Sequence, residues 1–514
     1  MHQSPHRKKV PSSLILVSLV LLAVLLPAES ASAQAVINVP VDSPTIQGAI
    51  DAAASGDTVL VAPGTYFENI NFRGKGITVA SAQGPEVTII DSNLAAPVVT
   101  FVSGEGPASV LRGFTLQRGN ASPEHGFDGG GVRIDSSSPT VQGNIITNNG
   151  ACSSGGGIAA AFSSALIEDN LITNNGQSSE CSGGPGGGGI SLVGAGQTRI
   201  VDNIIMGNSW SSSSGGGITL FAAGAPVIRE NVIKANSAYG SGGGLWIVNQ
   251  SDASMVQNLI VSNQAGKGGG IYWSASSGTR GLLLVSNTIA DNQGQGSEIF
   301  AGFIDAKAQL FNNVVAGTSG QSAVFCGQYD NLNPPVFMSN NVFTAGGSAY
   351  GGTCVDPTGT NGNLSADPLF VDPAGDDYHL GAGSPSIDAG DNSAPELPAV
   401  DIDGDQRIFN GRVDQGVDEF GSFPATTPSA PTDVTATRLR KTATVRWSPP
   451  SSDGGSPILS YTVTVSDGRR VTVDASITSV TFDEIRKKTA NTFTVVASNA
   501  VGSGDPASVT LPAR

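Results

Sequence analysis

Histidine is scarce in this chain, and the common catalytic signatures are missing. The 514 residues include four histidines, and only His125 and His379 lie beyond the first six positions. A histidine-rich metal centre is therefore excluded, because such a site needs several imidazoles close together. The chain contains neither a Gly-x-Ser-x-Gly nucleophile motif nor a Gly-x-x-x-x-Gly-Lys phosphate loop. The sequence therefore gives no motif-based indication of a nucleophile-elbow hydrolase or of a phosphate-loop nucleotide site.

Basic side chains are also few. The sequence has 26 Lys and Arg against 42 Asp and Glu, which gives a net charge of −16. Such an acidic chain repels nucleic acid and anionic lipid, so neither is expected as a partner. The charge also disfavours unaided binding of an acidic polysaccharide, although bound Ca²⁺ would reverse the sign locally.

Only one long apolar run is present, and it lies near the N terminus. Residues 14–26 are rich in Leu and Val, three basic residues (Arg7, Lys8 and Lys9) precede them, and Ala31-Ser-Ala33 follows. This order predicts a secretory signal peptide over residues 1–33, and so a secreted, extracellular protein with no membrane span after its removal. The run is short for a transmembrane helix; an uncleaved anchor is the alternative.

Glycine and asparagine, by contrast, recur at a fixed period. Gly-Gly-Gly followed by an aliphatic residue recurs at steps of 26 to 32 residues, beginning at Gly129, Gly155, Gly187, Gly215, Gly242 and Gly268. An asparagine followed two places later by an apolar residue recurs about as often, at Asn144, Asn170, Asn203, Asn231, Asn258, Asn287, Asn313 and Asn341. A period in this range predicts a stack of repeated units.

Each repeat carries the pattern of short strands. Apolar residues alternate with others in runs such as Ile218 to Leu220 and Leu245 to Ile247. Alternation with period two, bounded by Gly and Asn, predicts strands rather than helices. Such a unit cannot bury its apolar face alone, but it can when coiled on its neighbours. Asparagine suits the bends, because it tolerates left-handed backbone and its amide can bond to the asparagine one coil away.

This pattern resembles the right-handed parallel β-helix superfamily, the pectate-lyase-like fold. The resemblance covers residues 58–370 and implies an all-β chain with about 11 coils. It is specific for the fold and does not define an activity. The Gly-Gly-Gly motif stops after Gly270 while the asparagines continue to Asn341, and the repeat alone does not explain this difference.

The flanking segments predict two caps and a linker. In residues 34–57, Ser43 and Pro44 predict the start of a helix that Gly56 ends, and this helix would cover the open end of the solenoid. Residues 371–421, including Asp401-Ile-Asp-Gly-Asp-Gln-Arg407, resemble the closing segment of bacterial secreted β-helix proteins. We interpret them as the C-terminal cap. Residues 422–430 are rich in Pro, Thr and Ser, which predicts a linker.

The last segment, residues 431–514, resembles a fibronectin type III module. Trp447-Ser-Pro-Pro matches the core tryptophan of its second strand, Tyr461-Thr-Val-Thr-Val its third strand, and Phe493-Thr-Val-Val its sixth. The resemblance implies a β-sandwich that serves as a spacer or binding appendage. The corner tyrosine of the family falls on Asn491, so that hydrogen-bonded corner is predicted to be absent or rebuilt.

Four cysteines permit three disulfide connectivities. Cys152 and Cys181 are 29 residues apart, and Cys326 and Cys354 are 28 apart, close to one coil in each case. Only these two pairs join neighbouring coils, and an exported protein permits them. Buried free thiols are the alternative.

A row of aromatic residues is the first candidate ligand site. Phe221, Trp246 and Tyr272 fall on outward positions of three successive coils. Exposed aromatic rings in a row suit stacking against sugar rings, so they are candidate carbohydrate-binding residues. Alternatively, a loop or another chain covers them, or they pack on each other as a stabilising ladder.

Asp401, Asp403 and Asp405 are candidate ligands for Ca²⁺, the one cofactor that the sequence leaves open. They alternate as in the calcium-binding loop of an EF-hand. The glycine, however, lies two positions earlier than in that loop, and no glutamate occupies its twelfth position. A capped acidic turn is the alternative interpretation.

A second acidic group stands directly before the repeated asparagines, at Asp169, Asp202 and Glu230. Carboxylates on adjacent turns repel unless Ca²⁺ or a nearby arginine neutralises them. A solvated charged face is the favoured interpretation.

No residue is assigned as catalytic. His125 with Asp128 would form an acid/base pair, but a lone histidine in an insertion is usually not catalytic. The strings typical of pectin esterases and polygalacturonases are missing, and Arg133 beside Asp135 is only a weak match to the arginine and calcium carboxylates of pectate lyases.

Three functions therefore remain open. The favoured one is a non-catalytic exported protein that binds an extracellular polysaccharide or a cell-surface component. A polysaccharide lyase or glycoside hydrolase is the second, and a structural adhesin or spacer is the third. The ligand and the oligomeric state are not defined by the sequence.

Overall fold

The computed structural model describes residues 34–126, 128–181, 184, 186–274, 281–303, 307–327, 335–486 and 488–513, without the side chains of His125 and Phe303. The predicted signal peptide lies outside the described residues. The regular secondary structure of the described residues is almost entirely β-strand, as predicted, with one short helix and two 3₁₀ turns. Among the described residues no helix is both long and apolar enough to cross a membrane.

The chain winds into a solenoid in which four parallel sheets run along the stack. Sheet 1 has twelve strands: Val36–Val39, Thr58–Val61, Thr78–Ser81, Val110–Arg112, Thr140–Gln142, Leu166–Glu168, Arg199–Val201, Val227–Arg229, Ser254–Val256, Leu283–Val285, Gln309–Phe311 and Val336–Met338. Sheet 2 has eleven: Gly64–Tyr66, Thr88–Asp91, Thr115–Gln117, Ile145–Thr147, Leu171–Thr173, Ile204–Met206, Val232–Lys234, Leu259–Val261, Thr288–Ala290, Val314–Gly317 and Asn341–Thr344.

The other two sheets complete each turn. Sheet 3 has seven short strands: Asn120–Ala121, Gly150–Ala151, Gly176–Gln177, Ser209–Trp210, Ser237–Ala238, Gln264–Lys267 and Gln293–Gln295. Sheet 4 has eleven: Ile70–Asn71, Val99–Phe101, Val132–Asp135, Ile158–Ala161, Ile190–Val193, Ile218–Phe221, Leu245–Val248, Ile271–Ser274, Ile299–Phe303, Val324–Cys326 and Tyr350–Gly352. The predicted coiling of one repeat on the next is confirmed.

Stacked aliphatic residues fill the interior. In the coil from Val227, for example, Ile228 of sheet 1, Ile233 of sheet 2 and Leu245 of sheet 4 have no exposed surface. Burial of each such side chain contributes about 1.5–3 kcal/mol. The same positions of the neighbouring coils are equally buried, so the core is one continuous column.

A ladder of asparagines, the first ladder, holds the bend between sheets 1 and 2. Asn231 shows the pattern: its Oδ1 accepts the backbone N–H and the side-chain amide of Asn203, at 2.9 and 3.0 Å. Its Nδ2 donates to Ile200 O and to Asn258 Oδ1. The ladder joins Asn144, Asn170, Asn203, Asn231, Asn258, Asn287, Asn313, Asn340 and Asn363.

The predicted end of this ladder is wrong by one residue. Asn340, not Asn341, accepts from Asn313, and the ladder continues to Asn363. Asn341 instead begins the last strand of sheet 2 and donates to Ser386 Oγ. With the register corrected, Phe337 and Val342 are the inward residues of the last coil.

A second ladder holds the bend between sheets 2 and 3. It joins Asn149, Asn175, Asn208, Asn236, Asn263 and Asn292. The Gly-Gly-Gly triplets lie against it: a Cβ on Gly217 would stand 2.6 Å from Gly244 O and 3.0 Å from Asn236 Nδ2. The third glycine of each triplet is therefore required by close approach.

Glu298 ends the second ladder and explains why the triplets stop. It occupies the column of Gly244 and Gly270 one coil on, and its Oε2 accepts from the backbone and side-chain N–H groups of Asn292. The side chain is fully buried, and burial raises its pKa to about 8. A carboxyl group thus replaces the next amide at the last rung.

The N-terminal cap contains the helix Ile46–Ala52, and Thr45 is its N-cap, since its side chain accepts from Gly48 N. The prediction of Ser43 as N-cap was therefore wrong, and Ser43 Oγ donates to Thr45 O. Ile46, Ala49 and Ile50 are buried on the first coil. The preceding strand Val36–Val39 adds to sheet 1, so this cap is part helix and part strand.

Residues 371–421 were predicted to cap the solenoid, but they contact its side. Ala394 and Leu397 pack on sheet 1 residues, and Tyr378 packs on sheet 2 residues. Hydrogen bonds join Tyr378 Oη to Asp291, at 2.9 Å, and Val417 N to Thr288 Oγ1. We call residues 371–421 the lateral segment. It includes the strand Asp377–Leu380, all but the first residue of its antiparallel partner Phe370–Asp372, and the 3₁₀ turn Pro373–Gly375. A second 3₁₀ turn, Pro123–His125, lies in the solenoid.

Both predicted disulfides are present. Cys152–Cys181 and Cys326–Cys354 join adjacent coils, with Cα–Cα distances of 5.2 and 5.0 Å.

The C-terminal domain has two antiparallel sheets. One contains Thr432–Leu439, Thr442–Ser448 and Ser479–Phe482, and the other Arg470–Asp474, Ser460–Val465, Asn491–Ser498 and Ser503–Leu511. Trp447 and Tyr461 lie in its core, with ring centroids 5.4 Å apart. Asn491 is buried and donates to Arg486 O and Thr489 O, so an asparagine rebuilds the corner.

Candidate functional site

The outer face of sheet 4 carries the predicted aromatic residues, but not in one column. Trp246 and Tyr272 are direct partners on adjacent strands. Phe221 is outward too, yet it is paired with Val248, two positions further along the strand. Its ring centroid lies 6.5 Å from that of Trp246. The three rings are half-buried and share one face.

The column continues through two residues that the sequence reasoning missed. Tyr272 is paired with Phe300, and Phe300 with Phe325. Their rings stack with centroids 5.5 and 5.2 Å apart, and Lys267 Nζ lies 5.1 Å from the Phe300 ring. The signal was present, because Ile299-Phe300 and Val324-Phe325 repeat the aliphatic–aromatic pair of Leu245-Trp246.

Stacking leaves this aromatic column partly covered. Phe300 is only 5% exposed between its two neighbours, whereas Trp246, Tyr272 and Phe325 are half-buried. The stacked aromatic column therefore stabilises neighbouring coils, whether or not its rings also contact a ligand.

A small polar pocket lies on the same face, nearer the N-terminal end. Its volume is 140 Å³, and Asp128, Arg133 and Asp135 line it over a floor of Ala159 and Ala161. Arg133 forms an ion pair with Asp135 at 3.7 Å, and Asp128 accepts from Ser154 Oγ at 2.8 Å. The His125 side chain lies outside the described residues, so the proposed pair of His125 with Asp128 stays a prediction.

The predicted acidic column has a backbone explanation. Asp169, Asp202 and Glu230 all adopt positive φ, between 54° and 58°, just before the first ladder. Aspartate tolerates this region better than most side chains do. Burial, the largest effect, and repulsion from Glu230 and Glu168 together raise the pKa of Asp202 to about 6. Arg229 forms an ion pair with Glu230 at 2.7 Å, which reduces the local negative charge.

The predicted calcium loop lies in the lateral segment, and its first carboxylate is engaged by the backbone. Asp401 Oδ1 accepts from the N–H groups of Asp403 and Asp405, at 3.0 and 2.8 Å. Asp401 Oδ2 accepts from Glu419 N at 3.1 Å. This is the geometry of a capped acidic turn, and calcium binding by the three aspartates stays a prediction.

Asp403 also contacts a histidine that the sequence did not connect with it. His379 bonds through Nδ1 to Asp377 and through Nε2 to Asp403, at 2.6 and 2.7 Å. These carboxylates raise the pKa of His379 to about 9, against the opposing effect of burial. A ligand atom of Asp418 lies within 4.8 Å of those of His379 and Asp403. At neutral pH the imidazolium supplies the positive charge among these acids.

Arg407 is the second cation of the lateral segment, and it is completely buried. Its Nη2 donates to Gly416 O and Asp414 O. Burial raises the pKa of Glu419 to about 8 and that of Asp414 to about 6. Buried hydrogen bonds thus engage one nitrogen of Arg407, whereas its Nε and Nη1 have no hydrogen-bond partner among the described residues.

Two family models match the chain. Residues 53–281 match the right-handed β-helix region, and residues 429–514 match the fibronectin type III domain.

Three solved structures are each similar to about a fifth of the chain. A crystal structure of domains from titin is 27% identical over 19% of this chain and 34% of that chain. Titin kinase with its flanking domains is 29% identical over 18% of each chain. The chicken CNTN1 FN1–FN3 domains are 19% identical over 20% of this chain and 39% of that one. All three have a TM-score of 0.16, and the chain spans less than two fifths of each.

Family matches, stacked parallel sheets and a terminal antiparallel sandwich agree on one architecture. The chain is a right-handed parallel β-helix protein with a C-terminal fibronectin type III domain.

Proposed function

We propose that this protein is a non-catalytic, extracellular polysaccharide- or surface-binding protein whose β-helix presents the ligand-binding face. The domain architecture supports a surface- or polysaccharide-associated protein. Two disulfides and the predicted signal peptide over residues 1–33 favour the extracellular location. The fibronectin module then serves as an appendage or spacer.

One observation carries the proposal. The rings of Phe221, Trp246 and Tyr272 share the outer face of sheet 4 and remain partly exposed. Sugar rings offer apolar C–H faces that stack on such side chains, and this contact needs no charge. The acidic chain, at −16, favours neutral glycans over polyanions unless Ca²⁺ is bound.

Glycan binding by the purified full-length chain tests the proposal. The Phe221→Ala, Trp246→Ala and Tyr272→Ala triple variant is compared with Phe67→Ala, which removes a 69% exposed ring from the first coils. Loss of binding in the triple variant alone, with an unchanged circular dichroism spectrum, supports this face. Undiminished binding by the triple variant excludes the face, and a wild-type chain that binds no glycan favours the spacer or adhesin.

The polar pocket favours a second candidate, a polysaccharide lyase or hydrolase. Arg133 and two carboxylates meet there on the same face as the aromatic rings. A lyase would release unsaturated sugars from acidic glycans, so absorbance of such products is measured with and without Ca²⁺. Turnover that Arg133→Ala abolishes would establish this candidate in place of the binding protein.

A further inference from the structure

Tyr239 is the most exposed aromatic side chain of the solenoid's described residues. It directly follows the sheet 3 strand Ser237–Ala238, and 79% of its surface is exposed. Its backbone is fixed, because Tyr239 N donates to Trp210 O at 3.1 Å. The ring therefore projects from a regular part of the fold and exposes apolar surface to solvent. Packing of the core does not explain this exposure.

The neighbouring coils leave both faces of this ring uncovered. Ser237 is paired with Ser209 on one side and with Gln264 on the other. Continuing this register places Ser211 and Gly266 beside Tyr239. Neither has a ring to stack, and Gly266 cannot gain a side chain easily, since its Cβ would stand 2.8 Å from Gly240 O. Phe300, in contrast, has a ring on each side.

A polar row runs beside Tyr239 along the stack. Its members have hydroxyl or amide side chains and lie on successive strands of sheet 3: Ser209, Ser237, Gln264 and Gln293. Three of the four are exposed and Ser237 is half-buried. Adjacent members are about 4.8 Å apart, the spacing of neighbouring strands. Each coil therefore presents a hydrogen-bond donor and a hydrogen-bond acceptor to the hydroxyl groups of a sugar.

Tyr239 and three members of this row, Ser209, Ser237 and Gln264, border a groove of 530 Å³. The described residues that line it are uncharged: serines, Gln264, small residues and the two aromatic residues Trp210 and Tyr239. An ionic ligand would find no counter-charge in this lining. An exposed ring together with neutral hydroxyls and amides fits a sugar chain.

We infer that the Tyr239 groove is a binding site for a neutral polysaccharide, which lies along sheet 3 with one sugar ring stacked on Tyr239. This inference rests on the proposed function and gives it a different site and a ligand class. The hydroxyls of adjacent sugars meet the amides of Gln264 and Gln293. The groove and the sheet 4 aromatic rings belong to different sheets, so the two can be altered separately.

Binding isotherms of the full-length chain with neutral glucans, mannans and xylans test the inference. Tyr239→Ala is expected to weaken binding about five- to tenfold, because stacking contacts of this kind contribute roughly 1–1.5 kcal/mol and 1.4 kcal/mol is a factor of ten. Tyr239→Phe retains the ring and is expected to bind within about threefold of wild type. Phe67→Ala, the exposed-ring control, is expected to retain wild-type binding. Trp246→Ala is measured separately, because it reports on the sheet 4 face and not on the groove.

The variants at Tyr239 and Trp246 distinguish failure of the groove from failure of the sheet 4 face. If Tyr239→Ala binds like wild type while Trp246→Ala does not, the groove is overturned and the sheet 4 face stands. If the wild-type chain binds no neutral glycan, the inference is overturned, and binding of acidic glycans alone would still leave the proposed function. Equal loss in Tyr239→Ala and Tyr239→Phe would overturn ring stacking as the basis of recognition.

Discussion

The two asparagine ladders use the same chemistry but have different lengths. The first ladder contains nine asparagines, from Asn144 to Asn363, and reaches the end of the solenoid. The second ladder contains six, from Asn149 to Asn292, and ends at Glu298. Each amide needs an identical partner one coil on, so a ladder continues until another group accepts its last N–H.

The difference shows what holds the coils together in each part. Where both ladders run, the bends on both sides of sheet 2 are tied by buried amides, and the glycine triplets lie close against the second. Beyond Glu298 only the first ladder remains. There the stacked rings of Phe300 and Phe325 and the Cys326–Cys354 disulfide join neighbouring coils.

Removal of one amide from the first ladder should have the largest effect. Asn231→Ala removes the acceptor of Asn203 N and the side-chain donor to Ile200 O, while Asn258 Oδ1 keeps its bond from the backbone N–H of residue 231. Because buried unpaired groups cost about 1–3 kcal/mol each, we expect a loss of about 4 kcal/mol in the free energy of unfolding. Urea denaturation followed by circular dichroism measures it. Gln250→Ala, at an exposed amide, is the control, and a similar loss in both would contradict the ladder.

Removal of each disulfide tests whether the coils beyond Glu298 depend more on covalent links than the coils that contain both ladders. Both loops are nearly equal, 28 and 29 residues, so chain entropy predicts about 3.5 kcal/mol for either one. Cys326→Ser with Cys354→Ser should nevertheless cost at least as much as Cys152→Ser with Cys181→Ser. Denaturation midpoints of the two double variants decide this, and a larger cost for the Cys152–Cys181 pair would contradict the comparison.

Glu298→Gln sharpens the comparison through pH. Burial raises the folded-state pKa of Glu298 to about 8, above its ordinary value of 4.5. The native state therefore binds the extra proton between these values, and stability falls as pH rises through this window. Glu419, Asp414 and Asp202 contribute with the same sign.

The glutamine cannot ionise, so the variant should lose that part of the pH dependence. Relative to wild type we expect little change at pH 4 and a gain of a few kcal/mol at pH 9. Thermal unfolding at both pH values measures it, with Glu86→Gln at an exposed site as the control. A variant that is equally affected at pH 4 and pH 9 would show that Glu298 is not protonated in the native state.

The smallest effect is expected in the fibronectin domain, where one asparagine acts alone. Asn491→Ala removes two hydrogen bonds, to Arg486 O and Thr489 O. We expect a loss of about 1–2 kcal/mol, confined to this domain, because no second amide continues a ladder there. Fluorescence of the buried Trp447 during denaturation follows it. A decrease in the free energy of unfolding as large as that of Asn231→Ala would show that a ladder asparagine contributes no more than a single asparagine in the corner of the fibronectin domain.

Much of this fold was predictable because its signals are periodic. Like residues had to stack, so the spacing of the asparagines and cysteines gave the sheets, the first ladder and both disulfides. The prediction failed where the period changes. The one-residue shift at Asn340 and the replacement of a glycine by Glu298 break the spacing, and a pattern cannot show which residue then points inward.

The candidate sites were harder to predict, because exposure depends on neighbours that the sequence does not pair. Trp246 and Tyr272 were identified from alternation, but Phe300 and Phe325, which extend their column, lie beyond the last glycine triplet, so no triplet marks their strands. Tyr239 carries no periodic signal. Its exposure follows from Ser211 and Gly266, which are close to it only after two coils have stacked.

By itself the sequence determined the coiling, because side chains repeated about every 28 residues can be buried only against their counterparts one turn away. It also determined the terminal sandwich and the pairing of the cysteines. Only the tertiary structure decided where each ladder ends, that residues 371–421 lie along the side of the stack, and which rings cover each other. These features depend on contacts between segments of different period, and such contacts have no register until the chain has folded.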